Sequence, residues 1–340
     1  MNRSKIEWCD HTWNPITGCL HNCEYCYART MTKRFSGDVR LNKMAKGDYR
    51  TVAASDGRCE LYVLDKPMLN ETGNSLVYPF GFEPTLHRYR YDTLDKLKMG
   101  NNIFVGAMAD VFGKWVPEEW IMDIFEICEA HPQHNYMFLT KNSNRYLELE
   151  EKKMLPWEDN FWFGTTITNN GQDFAWFREK KFHWFLSIEP ILEDLGEFHG
   201  EVFPEWIIIG AETGKRKGKV VPEFEWIKNI VLQADNHVVP VFMKDSLIPI
   251  VGEKNMRRDF PHELMKRTLS DKMHSKLYDI CCDCRQQLKK NEMITLQARS
   301  CRGEVPKQFA FMCKKCFRNF CGKYGVEVPE LKNMEDKKDE

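Results

Sequence analysis

Six short apolar runs, separated by polar segments that suit helices, limit this 340-residue chain to few folds. The runs are nearly continuous in apolar residues, which is typical of parallel strands that are buried on both faces. A segment with apolar residues at helical spacing begins at Pro117 and another at Pro222, and proline is common in the first turn of a helix. The runs cover residues 102–106, 136–139, 161–164, 182–186, 206–210 and 238–243. Strands that alternate with helices predict an α/β fold.

Polar residues follow each run, and this favours a partial (β/α)6 barrel of the TIM type over an open doubly wound sheet. In such a barrel the carboxyl ends of the strands ring a single site. The sequence also lacks the glycine-rich dinucleotide motif. Each polar residue alone has an ordinary alternative as a helix cap or a solvated loop residue. The candidate site residues at these ends are Asp110, Lys141, Ser187, Glu189, Glu212 and Lys244.

Thirteen cysteines lie mostly near the two ends of the chain. The N-terminus lacks the apolar stretch of a signal peptide, and no segment approaches about 18 consecutive apolar residues. We therefore expect a cytoplasmic protein without a membrane partner. In a reducing compartment, grouped cysteines more often bind metals or take part in catalysis than form disulfides. The net charge of −1 gives no overall attraction to nucleic acid.

The first cysteine group places the thiols of Cys19, Cys23 and Cys26 within eight residues. Cysteine thiolates are the usual ligands of iron–sulfur clusters, and three of them leave one iron of a four-iron cube open. An open metal position indicates chemistry, because a structural site is closed by a fourth ligand. The alternative is a structural zinc loop in which Cys9 or His21 supplies that ligand. Cys9 is also a candidate hydrogen-donor thiol.

With an aromatic residue, Tyr25, before its last cysteine, this loop resembles the cluster loop of the radical S-adenosylmethionine superfamily. The flanking residues 13–19 and 26–29 are similar to a branch that includes spore photoproduct lyase and uncharacterised, often phage-associated radical proteins. Similarity to the phage-associated family continues at residues 103–112, 139–141 and 187–190, so the resemblance covers about residues 1–260.

The resemblance implies a partial barrel over residues 1–260 in which Cys19, Cys23 and Cys26 bind a [4Fe-4S] cluster. S-adenosylmethionine would bind the open iron, and its reductive cleavage would give a 5′-deoxyadenosyl radical that abstracts hydrogen from an unknown substrate. An electron donor such as flavodoxin or ferredoxin would reduce the cluster. By the same resemblance Asp110 would receive the cofactor's amino group. Ser187, Glu189 and Glu212 would contact its ribose or carboxylate, and Lys141 and Lys244 its carboxylate or an anionic substrate.

Three further segments complete the predicted organisation. Residues 31–100 interrupt the strand–helix alternation and are interpreted as an insertion over the barrel mouth. A linker over residues 261–280 leads to a cysteine-rich module at 281–325, and a charged tail covers 326–340.

The second cysteine group predicts a zinc-ribbon-like module. Cys281 with Cys284, and Cys313 with Cys316, form two pairs with the two-residue spacing of structural Zn²⁺ ligands. An auxiliary iron–sulfur cluster is the alternative. Between Cys281 and Tyr324, ten Lys or Arg stand against three Asp or Glu, so nucleic acid is a possible partner of this module.

Two other functions fit the sequence. One is a non-enzymatic, zinc-dependent nucleic-acid-binding protein, which the identity of the bound metal would distinguish from the enzyme. The other is an iron–sulfur redox or sensor protein, which would bind the cluster without cleaving S-adenosylmethionine.

Overall fold

A computed structural model describes residues 4–97, 100–172, 177, 182–198, 203–265, 278–280, 287–289, 293–298, 307–313, 317–318 and 321. The chain divides into two compact units, Met1–Met256 and Arg257–Glu340. This division lies near residue 260, where the sequence predicts the end of the barrel.

The first unit combines strands and helices throughout its length. In chain order its strands and α-helices are β1 (His11–Trp13), β2 (Ile16–Thr17), α1 (Tyr27–Phe35), α2 (Val39–Met44), β3 (Arg50–Ala53), β4 (Glu60–Leu64), β5 (Thr85–His87), β6 (Asn102–Val105), α3 (Glu118–Glu129), β7 (Asn135–Thr140), α4 (Asn144–Glu151), β8 (Phe161–Thr166), β9 (His183–Ile188), β10 (Trp206–Ile209), α5 (Phe224–Asn236), β11 (Val241–Met243) and α6 (Ile248–Val251). Short 3-10 helices cover Arg88–Lys96, Asp245–Leu247 and Glu253–Asn255.

A seven-stranded parallel sheet forms the core of this unit, in the order β1-β6-β7-β8-β9-β10-β11. The six predicted runs are confirmed as neighbouring parallel strands. The sequence analysis missed β1, because three residues that include His11 and Thr12 do not make an apolar run. The helices predicted after Pro117 and Pro222 are confirmed as α3 and α5.

The sheet curls around the side chain of Trp8, which precedes β1. The Trp8 ring centroid lies 4.7 Å from that of Phe104 on β6 and 6.2 Å from that of Trp206 on β10. Neighbouring strands lie about 4.8 Å apart, so four strand spacings separate β6 from β10 by roughly 19 Å in a flat sheet. One indole contacts both strands because the sheet bends as in a partial barrel.

Residues 31–100, predicted as an insertion, form most of a second sheet in the order β2-β5-β4-β3. The strand β2 lies outside the insertion and pairs with β5 antiparallel, with Thr17 opposite Thr85. Because Gly18 and Cys19 follow Thr17 directly, this sheet fixes the start of the cysteine loop.

The second unit contains α7 (His262–Met265) and the strands β12 (Tyr278–Ile280), β13 (Gln287–Lys289), β14 (Met293–Ala298) and β15 (Lys307–Cys313). The pairs β12–β13 and β14–β15 are antiparallel. Of the predicted zinc ligands, Cys313 is the last residue of β15, and Cys281, Cys284 and Cys316 lie outside the described residues. The zinc module and the charged tail stay predictions. Within the described part of the chain, every helix falls short of the length and hydropathy needed to cross a membrane.

Candidate functional site

A cavity of about 680 Å³ lies at the carboxyl ends of the parallel strands. The structure brings together around it nine residues that the sequence singled out: Cys19, Cys23, Cys26, Asp110, Lys141, Ser187, Glu189, Glu212 and Lys244. Their roles as ligands stay predictions. The cavity wall also includes Phe82 from the insertion and residues 5–8 from the start of the chain.

The cysteine loop is attached at its start by backbone hydrogen bonds. The Gly18 N–H donates to Met108 O at 2.9 Å, and the Cys19 N–H donates to Phe82 O at 3.2 Å. Gly18 has a φ of +87°, and a Cβ atom there would lie 2.4 Å from Glu83 O. Only glycine tolerates both the left-handed backbone and this close approach.

The loop ends at the N-terminus of α1, where the Cys26 side chain caps the helix. The Arg29 N–H donates to Cys26 Sγ at 3.5 Å. A helix N-terminus carries partial positive charge, which suits a cysteine that binds a metal or a cluster. Cys19, Cys23 and Cys26 are all free thiols of intermediate exposure.

The Cys19 thiol has a raised pKa. Burial is the largest cause, and the nearby Asp110 carboxylate adds to it. A metal or cluster that binds Cys19 as a thiolate therefore has to displace its proton.

The arrangement of the three thiols bears on whether a cluster or a single ion would bind here. Among the described residues, no group of three or more His, Cys, Asp or Glu side chains is placed to hold one metal ion. Thiolates that bind a four-iron cube each bind a different iron, so they need not converge on one point. Of the two candidate fourth ligands of the zinc alternative, His21 hydrogen-bonds to Asp110 through Nε2, which leaves its Nδ1 for a metal. Cys9 is fully buried and is not among the described residues of the cavity wall. The zinc alternative stays open.

Asp110, which follows β6, is a buried carboxylate that four protein groups surround. Its Oδ2 atom lies 2.6 Å from His21 Nε2 and accepts the Lys141 N–H at 3.0 Å. Its Oδ1 atom accepts the Thr140 hydroxyl at 2.7 Å and the Phe112 N–H at 3.0 Å. Asp110 thus joins the middle of the cysteine loop to the ends of β6 and β7.

Glu189 and Lys244 form an ion pair on another part of the wall. The Lys244 Nζ to Glu189 Oε1 distance is 2.8 Å, and the Ser187 hydroxyl donates to Glu189 Oε2 at 3.1 Å. Burial is the largest single influence and lowers the pKa of Lys244, but the Glu189 carboxylate, its hydrogen bond and the nearby Glu7 together outweigh burial, so the pKa is raised and the ammonium stays charged. Gly210 leaves room for the pair, since a Cβ atom there would lie 2.9 Å from Glu189 Oε1.

Glu212 is paired with Arg216, a residue that the sequence analysis missed. Two guanidinium nitrogens of Arg216 donate to the two carboxylate oxygens at 2.7 and 2.8 Å, and these bonds lower the pKa of Glu212. Arg216 also lies 3.3 Å from Glu24 of the cysteine loop. A Glu and an Arg four residues apart after a predicted strand are the signal that could have revealed the pair.

Lys141 and Cys9 differ in their access to the cavity. The Lys141 ammonium lies 5.3 Å from the centre of the Tyr25 ring in the cysteine loop, a distance at which a cation is attracted to an aromatic face.

Cys9 is fully buried and is not among the described residues of the cavity wall. Burial raises the pKa of its thiol to about 12, so this thiol stays protonated. Its catalytic role remains a prediction.

We compared the chain with known structures, curated proteins and family models. A solved structure of a spore photoproduct lyase mutant with bound AdoMet and dinucleoside spore photoproduct gives a TM-score of 0.36 at 10% sequence identity, over 95% of this chain and 75% of that chain. No curated protein matches the sequence. The family model described as "Protein of unknown function (DUF5131)" matches residues 3–277, and the chain belongs to that family.

Proposed function

We propose that this chain is a radical S-adenosylmethionine enzyme that abstracts a hydrogen atom from its substrate. The observation that carries the proposal is that Cys19, Cys23 and Cys26 line one cavity at the carboxyl ends of the parallel strands. Cationic and anionic side chains line the same cavity. A thiolate-bound cluster and a zwitterionic cofactor require this combination of groups.

Cys19, Cys23 and Cys26 would hold the [4Fe-4S] cluster and leave one iron open for S-adenosylmethionine. Three contacts support this assignment. The hydrogen bonds of Gly18 fix the start of the loop, the bond from His21 to Asp110 fixes its middle, and the helix N-terminus at Cys26 fixes its end.

Lys244 is the residue that we assign to the carboxylate of the cofactor, with Lys141 as a second cation. Ser187 and Glu189 are adjacent to Lys244 and would contact the ribose or the amino group. Asp110 already accepts as many hydrogen bonds as a carboxylate has lone-pair sites. Its contribution to cofactor binding is therefore to position His21 and the cysteine loop, and Glu212 is similarly occupied by Arg216.

When bound and reduced, the cluster and its cofactor supply a 5′-deoxyadenosyl radical for hydrogen abstraction. The residues of this chain bind the cofactor, orient it and exclude water. Trp8, Phe104 and Leu139 provide apolar wall for the last task. An apolar, closed site protects a reactive species from side reactions with solvent.

Anaerobic reconstitution tests the proposal, with iron, sulfide and zinc analysis followed by dithionite, S-adenosylmethionine and an assay for 5′-deoxyadenosine. We expect about four iron atoms per chain and 5′-deoxyadenosine formation. Both should be lost in Cys26→Ala and retained in Cys59→Ala, a matched control because Cys59 is exposed and outside the cavity wall.

Two results would contradict the proposal. Zinc at both cysteine groups, without iron or cleavage, would indicate a zinc-dependent nucleic-acid-binding protein. Iron without cleavage would indicate a redox or sensor protein.

For the second cysteine group we propose structural zinc and, through its basic residues, contact with nucleic acid. Zinc content should fall by about one atom per chain in Cys281→Ser or Cys316→Ser. Binding to a DNA or RNA oligonucleotide should weaken with added salt, and no binding at low salt would contradict the nucleic-acid role.

A further inference from the structure

The helix α1, which begins directly after Cys26, exposes a line of large apolar side chains. Tyr27, Met31 and Phe35 are four residues apart and therefore share one face of the helix. Their exposed fractions are 51%, 41% and 55%. Ala28 and Thr32 are the buried residues of the same helix. Exposed apolar residues that are grouped in this way mark an interaction site.

The next helix, α2, also exposes large apolar side chains. Leu41 and Met44 on α2 are exposed by 58% and 76%. We call Tyr27, Met31, Phe35, Leu41 and Met44 the α1–α2 surface.

Basic residues accompany the α1–α2 surface. Residues 27–46 contain six Lys or Arg and one Asp, although the whole chain has a net charge of −1. Lys43 is paired with Glu83 and Arg40 with Asp38, and Arg29 donates to Cys19 O. Lys33 and Arg34 are exposed in the last turn of α1. Tyr, Phe, Met and Arg are enriched at protein–protein interfaces, where Lys, Asp and Glu are depleted in the core and charged residues lie at the rim. The composition of this surface thus fits a protein partner whose own rim is acidic.

The α1–α2 surface begins beside the cysteine loop. At a rise of 1.5 Å per residue, Phe35 lies about 14 Å along the helix axis from Cys26. Tyr27 lines the cavity, and its hydroxyl donates to Ala107 O at 2.9 Å. A partner that covers α1 therefore lies beside the residue that follows Cys26 and at one edge of the cavity.

We propose that the α1–α2 surface docks an acidic one-electron carrier protein that reduces the cluster. The inference rests on the proposed function, because only a cluster that needs electrons requires such a partner. In the step itself the carrier loses one electron and the cluster gains it, and no atom is transferred. Docking on α1 brings the carrier beside Cys26, while the residues proposed to bind the cofactor, such as Lys244 and Glu189, lie on other elements.

Other occupants fit the surface less well. A second copy of this chain would bring two basic surfaces together. Residues 257–340 carry 19 Lys or Arg against 13 Asp or Glu, so they too are basic. Nucleic acid would satisfy the charge and would find the rings of Tyr27 and Phe35 to stack on. The flexible aliphatic side chains of Met31, Leu41 and Met44 suit the apolar side chains of a protein better, and oligonucleotide binding is therefore an outcome of the test.

The test combines a binding measurement with a comparison of two reductants. Titration calorimetry would measure the affinity of the full chain for oxidised flavodoxin, an acidic carrier used as the probe. In Met31→Glu/Phe35→Glu we expect the affinity to fall about tenfold or more, since buried apolar anchors dominate interface energies. Wild-type affinity should also weaken with added salt. Tyr27 is left unchanged because it lines the cavity.

The reductant comparison separates this inference from the proposed function. With reduced flavodoxin, 5′-deoxyadenosine formation should fall in Met31→Glu/Phe35→Glu by a factor similar to the loss of affinity. With dithionite, a small reductant that needs no docking surface, the variant and the wild type should be equal. The matched control is Leu232→Glu on α5, where Leu232 is 50% exposed and outside the cavity wall; it should behave as wild type in every assay.

Three outcomes would overturn the docking proposal. They are no flavodoxin binding by the wild type, equal binding by the wild type and the double variant, and loss of oligonucleotide binding in the double variant while flavodoxin binding is unchanged. The absence of cleavage with dithionite in the wild type would instead contradict the proposed function.

Discussion

Two carboxylates on the cavity wall, Asp110 after β6 and Glu189 after β9, are held in different ways. Asp110 is paired with His21 and accepts two backbone N–H groups and a hydroxyl from residues that fix the sheet and the cysteine loop. Glu189 is held by Lys244 and Ser187, which line the cavity themselves. One carboxylate fixes the scaffold, and the other belongs to a polar group that a ligand can reach.

The two carboxylates therefore suit different tasks: Asp110 positions other residues, and Glu189 belongs to a group that can contact a ligand. A carboxylate that is saturated by protein donors has little left to offer a ligand. The Lys244 ammonium has three donor hydrogens, of which the pair with Glu189 uses one. A cofactor carboxylate can therefore bind Lys244 without breaking the existing ion pair.

The largest expected effect is that of Asp110→Asn. The amide would turn an NH₂ group toward at least one of the N–H or O–H donors that now point at the carboxylate, which leaves buried donors unsatisfied. We expect a loss of about 3 kcal/mol in the free energy of unfolding, measured by urea denaturation, and poor iron loading. Asp92→Asn, at an exposed position, is the matched control. Unchanged stability would break the comparison by showing that Asp110 is not a structural anchor.

A second prediction concerns the pH dependence of stability. His87 at the end of β5 is buried, and its Nε2 lies 2.8 Å from Oγ1 of Thr17, just before the cysteine loop. Burial lowers the pKa of His87 well below 6.5, so the folded protein keeps it neutral. Below about pH 6.5 the unfolded chain binds a proton that the folded chain does not. Stability should therefore fall with decreasing pH, by up to about 1.4 kcal/mol per pH unit.

The variant His87→Gln should lose that part of the pH dependence, which urea denaturation at several pH values between 5 and 8 would reveal. His237→Gln, at an exposed position, serves as the control. An identical pH profile in wild type and His87→Gln would refute the prediction.

A third prediction concerns the proposed binding of the cofactor by Lys244. Lys244→Met removes the cation but keeps an apolar stem of similar length. We expect the affinity for S-adenosylmethionine in reconstituted protein to fall by about tenfold or more, equivalent to 1.4 kcal/mol, with a smaller change in unfolding free energy than in Asp110→Asn. Anaerobic calorimetry would measure the affinity. Equal affinity of variant and wild type would mean that Lys244 does not bind the cofactor.

The smallest effect should come from Arg216→Gln. Arg216 is partly exposed, and solvent screens its contact with the exposed Glu24. The amide of glutamine can still donate a hydrogen bond to the buried Glu212, which Arg216 now contacts through two. We expect a smaller fall in affinity for S-adenosylmethionine than in Lys244→Met, and no change in iron content. A loss of iron would show that Arg216, like Asp110, anchors the cysteine loop.

Much of the fold was predictable because its signals are local. Buried parallel strands require continuous apolar runs, and the runs that end before Asp110 and Lys244 could be recognised without knowing their partners. The strand β1 and the insertion sheet could not, because strands as short as β2 and β5 are fixed by pairing across distant parts of the chain.

The candidate site was predictable to the same extent, because its local signals could be recognised and its long-range contacts could not. Residue types at strand ends indicated which side chains face the cavity, but the sequence did not reveal that His21 is the partner of Asp110, 89 residues away. Nor did it single out the exposed side of α1, since Tyr27, Met31 and Phe35 at helical spacing would suit a buried face equally well.

The curled sheet is closed by side chains instead of by strand pairing. The strands β1 and β11 are the two edges of the sheet, and the described contacts near that gap include Trp8 packing and the Asp245 N–H donating to Glu7 Oε2 at 2.8 Å. Because these contacts involve side chains, their loss would leave every backbone hydrogen bond of the sheet ladder in place. The register of the strands that carry the site is therefore independent of the contacts that join the two edges.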